Sequence, residues 1–343
     1  MRLLKVCVAF VVVVGLASAL RTAWAQWHQQ IANVQVNLRT LDQQIAMVND
    51  PQAIGSLEED RRRLTESIPA WSRVRWGYAM CGCCLYAAAL LPPGVLLRRT
   101  VVALGSKTTL AIALAAQVFG HVGKYVPGKA MVVVLRSKSL RDHGVTTAAA
   151  TAAVFVETLM MMAVGAAISG GIICFLPIPG WMILVAIGIA ATATLGSVMI
   201  LHPRIVTRIL GKGIAATLGS RQRLHLILSA WIWSGIAWLL IGGSFMMLTA
   251  AIEGPQTPLT LSRYAVSTAA ISLAMVVGFA SLLPGGAGAR ELVLTTLLTP
   301  VVGAPLAIFS AIAARLMCLV VEVLMSLAAW GWLRRQGRQQ VTE

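Results

Sequence analysis

The chain has 343 residues, 58% of them apolar and only 12% charged, with a formal net charge of +16. A soluble domain of this length would carry charge on most of its helices, so the composition excludes one and predicts an all-α, polytopic integral membrane protein. The excess positive charge does not point to nucleic acid: it falls in short runs between apolar stretches, where anionic lipid headgroups are its natural counter-charge.

Residues 3–20 form the first apolar run, introduced by Arg2 and Lys5. Ala23-Trp-Ala25 follows as a small-residue cleavage pattern, so 1–24 reads either as a signal-like anchor or as a first transmembrane helix. The segment 25–75 is the least membrane-like. Trp27, Ile31, Val34, Leu38, Leu41, Ile45 and Val48 alternate at four- and three-residue steps, an a/d seam with polar residues between. Asp50-Pro51 and Gly55 supply a turn. A weaker seam returns through Leu57, Leu64, Ile68 and Trp71, interrupted by Arg61, and Pro69 lies inside that arm. The pattern predicts an antiparallel helical hairpin outside the membrane; the alternative is an amphipathic helix lying on the outer leaflet. Residues 27–71 would be the surface for a protein partner or for self-association.

From 76 to 335 the chain reads as one transmembrane domain, followed by a short tail, 336–343. Full spans are expected at about 76–97, 145–169, 180–201, 224–249 and 305–331, which with the first run makes about six. Pro92-Pro93 should kink the first of these. Cys81-Gly-Cys-Cys84 lies inside it with no His nearby, and reads as small-residue packing; no metal or other cofactor is expected. Short basic segments at Arg2 and Lys5, Arg98 to Lys107, Arg136 to Arg141, Arg204 to Arg223 and Arg334 to Arg338 belong on the cytoplasmic side of the inner membrane. Both termini are then cytoplasmic, and 21–75 is extracytoplasmic.

Two apolar stretches break at Pro-Gly steps. The first reads Gly120-His-Val-Gly-Lys-Tyr-Val-Pro-Gly-Lys129, around Pro127 and Gly128. The second reads Leu283-Pro-Gly-Gly-Ala-Gly-Ala-Arg-Glu291, around Pro284, Gly285, Gly286 and Gly288. Pro removes a helical donor and Gly frees the backbone, so both sites should stop a helix. Irregular backbone at membrane depth survives only against protein or a wet cavity, and paired broken helices point to a transport site. Basic residues flank 108–135 on both sides, so this element should enter and return from the cytoplasm. The count of spans then asks the second, within 263–302, to enter and return from outside, the geometry of an inverted repeat. If 263–283 crosses fully instead, 290–302 is left as a half-helix.

The charges left at membrane depth are Lys124, Lys129, Glu157, Arg290, Glu291, Arg315 and Glu322. Each is costly there unless paired or solvated. Arg315 and Glu322 are seven residues apart and share a helix face. Glu157, Glu291 and Glu322 read as a charge-balancing network against Arg290 or Arg315. Lys124, Lys129 and an arginine would remain to receive a phosphate-bearing headgroup, since guanidinium forks and helix N-termini suit phosphate oxygens. Gly120-His-Val-Gly-Lys124 lacks the spacing of a phosphate loop, and His121 and His143, with no ligand partners at metal spacing, read as satisfied or exposed. Glu58-Glu59-Asp60 beside Arg61-Arg62-Arg63 reads as a solvated charge run. No nucleophilic or clustered acidic constellation stands out, so catalysis is not expected.

At Gly123-Lys-Tyr-Val-Pro-Gly-Lys129 the chain resembles the flippase-like transmembrane module of lysylphosphatidylglycerol synthases. The resemblance continues through the Glu157 helix, Leu283-Pro-Gly-Gly-Ala-Gly-Ala-Arg-Glu291 and the last helix with Arg315 and Glu322, over roughly 75–335. It implies a membrane protein that moves a phospholipid or lipid-linked precursor between leaflets, with Lys124, Tyr125, Lys129, Arg290 and Arg315 as substrate-binding candidates. The chain departs from the synthases in having no soluble stretch long enough for the lipid-aminoacylating domain, and in carrying the outer hairpin. The expectation is therefore a stand-alone translocase acting on an anionic phospholipid or lipid-linked substrate. The alternative is a non-catalytic accessory subunit that recruits a lipid- or glycan-modifying enzyme through the hairpin.

Overall fold

The computed structural model describes residues 31–48, 50–67, 74–125, 130–175, 180–208, 218–253, 257–281 and 288–342, with a few positions between 21 and 29. The first apolar run, Pro127, Gly128, Lys129, Pro284, Gly285 and Gly286 lie outside the described residues. Every regular element among those residues is a helix. Two helices come first, α1 (31–47) and α2 (Pro51–Ser67). The membrane domain follows: α3 (Trp76–Ala89), α4 (Pro92–Ala103), α5 (Leu110–Phe119), a 3₁₀ segment (Gly120–Tyr125), α6 (Ala130–Arg141), α7 (Thr147–Ile173) and α8 (Gly180–Ile200). It closes with a short α9 (203–208), α10 (Ser220–Glu253), α11 (Leu261–Ala280), α12 (Ala289–Val302) and α13 (Ala304–Thr342).

Among the described residues, six helical stretches are long and apolar enough to cross a membrane: Trp76–Ala103, Thr147–Ile173, Ile183–Ile200, Ser220–Glu253, Leu261–Ala280 and Ala304–Gln336. Five coincide with expected spans. The sixth, Leu261–Ala280, falls where the sequence placed the first arm of the second break. Pro92-Pro93 divides the first span into α3 and α4, both prolines sitting in the opening turn of α4, where a missing donor costs nothing. Threonines start three of the helices, their hydroxyls accepting from Ile112, Ala149 and Arg263 backbone N–H groups.

Two apolar clusters lie end to end along the bundle. One gathers Leu96, Leu97, Ala116, Leu140, Val154, Leu226 and Ala230, at the end where Arg98, Arg99, Arg221 and Arg223 emerge. The other gathers Tyr86, Val164, Trp238, Phe245, Leu294 and Ala311, toward the opposite end. The changeover falls between Leu90 and Leu96 on α3–α4, between Ala116 and Val118 on α5, between Met160 and Val164 on α7 and between Ala230 and Trp238 on α10. Polar residues sit at or beside it: Gln117, Glu157 and the buried Ser234. The membrane domain is thus two greasy halves meeting at a polar layer.

α1 and α2 fold back on each other, joined by an Arg61 Nε–Asp42 Oδ1 pair at 2.5 Å between half-exposed side chains. On α1 the seam position Val34 is buried and Ile31, Leu38, Leu41 and Ile45 are partly covered, while the residues between them are exposed. Gln29 and Asn33 lie beside Glu291 and Thr295 of α12 and Ile312 of α13, so the base of this pair leans on the last two helices. Arg63 and Arg62 hydrogen-bond to Glu59 and hold its carboxyl below the usual carboxylate range.

Candidate functional site

The first break is a re-entrant element. The chain enters it beside Ser106 and leaves beside Thr146, whose hydroxyls lie 3.4 Å apart. Its arms, α5 with 10 residues and α6 with 12, reach only about 15 and 18 Å at 1.5 Å per residue, short of a ~30 Å core. At the tip, glycines let backbone and side chains close in. A Cβ on Gly120 would overlap the Arg136 side chain, and one on Gly123 would stand 2.5 Å from the Val132 nitrogen.

α13 serves as a ruler for the second break. Cys318 and Arg315 meet the first turn of α12, Glu322 meets the tip of the first break, and Ser326 Oγ donates to the Val118 carbonyl at 3.0 Å. α12 joins α13 through Gly303 and runs from the α13 start down to Cys318; α5 runs up from the basic end to Glu322. The two tips therefore approach from opposite ends and meet within four residues of α13, about 6 Å of rise. α11 is long enough to span, yet its last turn (Gly278, Phe279) lines the same cavity as Arg290 at the first turn of α12. This is the opposed arrangement that the charge pattern asked for.

Between the tips lies a cavity of about 170 Å³, room for several waters. Its polar wall carries His121, Lys124, Arg136, Glu157, Arg290 and Glu322. Its apolar wall is formed by Met161, Met162, Trp238, Ile241, Met275 and Phe279.

Two carboxylates organise the polar wall. Glu157, 2% exposed, accepts from Arg136 (2.7 Å), Gln117 (3.0 Å) and Thr158 (3.1 Å). Glu322, equally buried, accepts from Tyr86 (2.6 Å), Lys124 (2.9 Å) and Tyr125 (3.2 Å). A third pair joins the second break to α13, with Arg315 donating to Glu291 at 2.9 Å. The other Glu291 oxygen accepts from the Gly288 N–H at 2.7 Å. Gly288 adopts φ +83°, a left-handed conformation that a side chain would strain, and so starts α12 at the cavity.

Arg290 differs. It is 8% exposed, and its Nη2 donates to the Cys318 sulfur at 3.4 Å. Its Nε is buried without a hydrogen bond, and no carboxylate pairs with it among the described residues. It also sits at the positive end of the α12 dipole, where an anion rather than a cation is favoured. The described cavity network thus holds four cations, Lys124, Arg136, Arg290 and Arg315, against three carboxylates.

The structure thus brings Lys124, Tyr125, Arg290, Arg315, Glu157 and Glu322 together around one space, with Glu291 just behind it. It ties Lys124 to Glu322 rather than leaving it unpaired. Four members escaped the sequence. Arg136, assigned above to a cytoplasmic basic run, is buried and paired with Glu157. The signal was present: Leu140 lies one turn on from Arg136, whereas Lys138 and Arg141 fall on the other side of α6 and are exposed. Gln117 and Tyr86 stood as lone polar groups in apolar runs. His121, expected to be satisfied or exposed, is buried in the cavity wall, 3.7 Å from Glu322, with no hydrogen bond to either ring nitrogen.

Comparison with known proteins agrees with this architecture. No curated protein matches the chain. The family described as Lysylphosphatidylglycerol synthase TM region matches residues 60–326, starting inside α2 rather than at α3, so that α2 falls partly within it. With more than two thirds of its length matched, the chain belongs to the lysylphosphatidylglycerol synthase transmembrane-region family.

Proposed function

We propose that this protein moves an anionic phospholipid, or a lipid-linked precursor of like charge, between the leaflets of the cell membrane. The observation that carries the reading is Arg290, a buried guanidinium on a cavity wall with no carboxylate partner among the described residues. A charge left so at membrane depth costs roughly 2.5–3.5 kcal/mol or more, so a fold that keeps it has a use for the charge. A phosphodiester entering the cavity would complete the four-to-three balance and would meet both the arginine fork and the α12 N-terminus. The methionine-rich wall opposite offers adaptable apolar contact for the start of the acyl chains. The end bearing Arg98, Arg99, Arg221 and Arg334 faces the cytoplasm by the positive-inside rule, which puts α1 and α2 outside. Lys124 and Tyr125 act through Glu322, and Arg315 through Glu291, as groups that hold the tips in register. The role is transport, with no bond made or broken.

Proteoliposomes carrying fluorescent phosphatidylglycerol, with the outer leaflet quenched by dithionite, test this directly. Wild-type protein should carry label between leaflets, and Arg290→Ala should abolish most of that movement while keeping the folded elution profile. Equal movement by the two proteins removes Arg290 from the path.

A further inference from the structure

A second recess lies at the basic end, away from the central cavity. It is a cleft of about 330 Å³ between the C-terminal half of α4 and the first turns of α10. Arg98 and Arg99 stand on one wall and Gln222 and His225 on the other, over Val102 and Leu226; its lining contains no carboxylate. Both arginines are held by neutral acceptors. Arg98 Nε donates to the Thr108 carbonyl at 3.4 Å and Arg99 Nη1 to Ser229 Oγ at 3.2 Å, with the Arg99 guanidinium 5.8 Å from the Trp233 ring centroid. Such contacts fix where the forks point and leave their charge uncompensated, which suits them to phosphate oxygens.

The surroundings say which kind of phosphate. From His225, the exposed Leu228, Ile232, Ile236 and Leu239 follow at three- and four-residue steps, on one face of α10. This apolar ridge climbs about 21 Å from the cleft, more than the ~15 Å depth of one leaflet's hydrocarbon. Exposed Val102 of α4 continues it on the other side of the cleft. A soluble phosphoester would use the arginines alone, whereas a phospholipid would use the arginines and the ridge. Basic recesses between transmembrane helices on the cytoplasmic side are also where anionic headgroups settle.

We propose that this cleft is a separate binding site for the phosphate of an anionic phospholipid, whose acyl chains lie along the α10 ridge. It does not depend on the transport reading, because it shares no residue with the central cavity. The test is thermal unfolding of the full-length protein in neutral detergent, titrated with phosphatidylglycerol, with phosphatidylcholine of the same chains, or with glycerol 3-phosphate. Phosphatidylglycerol should raise the melting temperature and the other two should not. Arg98→Gln with Arg99→Gln should raise the half-maximal phosphatidylglycerol concentration by about tenfold, the scale of one charge-assisted contact. Gln222→Glu should do the same through an exposed position, and it keeps the acceptor that the Gly219 N–H uses at 3.0 Å, so α10 starts as before. The weakening by Gln222→Glu should be equal with Arg290 present or replaced by Met. Unchanged phosphatidylglycerol response in the Gln222→Glu protein overturns the site. An equal response to glycerol 3-phosphate overturns its assignment to lipid.

Discussion

The two breaks are built alike and charged differently. Each sends a short helix to the polar layer, and each presents a basic residue there, Lys124 from the first and Arg290 from the second. At the first break the lysine is answered by Glu322, which also gathers two tyrosine hydroxyls, and Arg136 behind it is answered by Glu157. At the second the neighbouring acid, Glu291, is turned to Arg315 and to the start of its own helix, so Arg290 is left facing the cavity. The first break therefore resembles a cross-brace and the second a receptor, and stability and transport should part along that line.

The largest stability effect should come from the brace. Glu157→Leu leaves Arg136 buried without its carboxylate, and removing one member of such a pair costs about 3–5 kcal/mol. A large fall in melting temperature in detergent is expected; a chain that melts like wild type would mean the pair is not a brace. Lys124→Met should cost less, about 1.5–3 kcal/mol, because it removes one charge-assisted hydrogen bond while Tyr86 and Tyr125 still hold Glu322. Arg290→Met should be the exception among the buried cations. It takes out a charge that no described carboxylate offsets, so melting should stay within about 1 kcal/mol of wild type or rise, by the logic that apolar residues replace buried charge without loss. A fall as large as that of Glu157→Leu would make Arg290 a brace as well and erase the contrast. Smallest of all, Arg61→Ala in the α1–α2 pair should cost about 0.2–1 kcal/mol and be hidden by salt, since both partners are half exposed.

Much of this arrangement was legible in the sequence because membrane burial makes charges conspicuous. The seven-residue spacing of Arg315 and Glu322, the flanking basic runs around 108–135 and the interrupted apolar stretches gave the breaks, their opposed entry and most of the charged residues. Partner choice was not legible. Lys124 and Glu322 are 198 positions apart, and nothing local to either says that they touch. Arg136 was misassigned because its sequence neighbours Lys138 and Arg141 are surface residues; helical phase, not proximity, separates it from them. The role of Leu261–Ala280 also needed the fold. Its length permits a crossing, and only the position of its last turn, on the same cavity wall as Arg290, shows how deep it reaches.

α13 is one unbroken helix of 39 residues, and both tips bear on the same stretch of it. It acts mechanically as a lever with two loads near its fulcrum. A tilt that draws Cys318 away from Arg290 must also shift Glu322 against Lys124 and Tyr125, because the two contacts are a single turn apart on a stiff rod. Neither contact can be moved alone: loosening one side of the membrane domain is transmitted to the other through the same few ångströms of backbone.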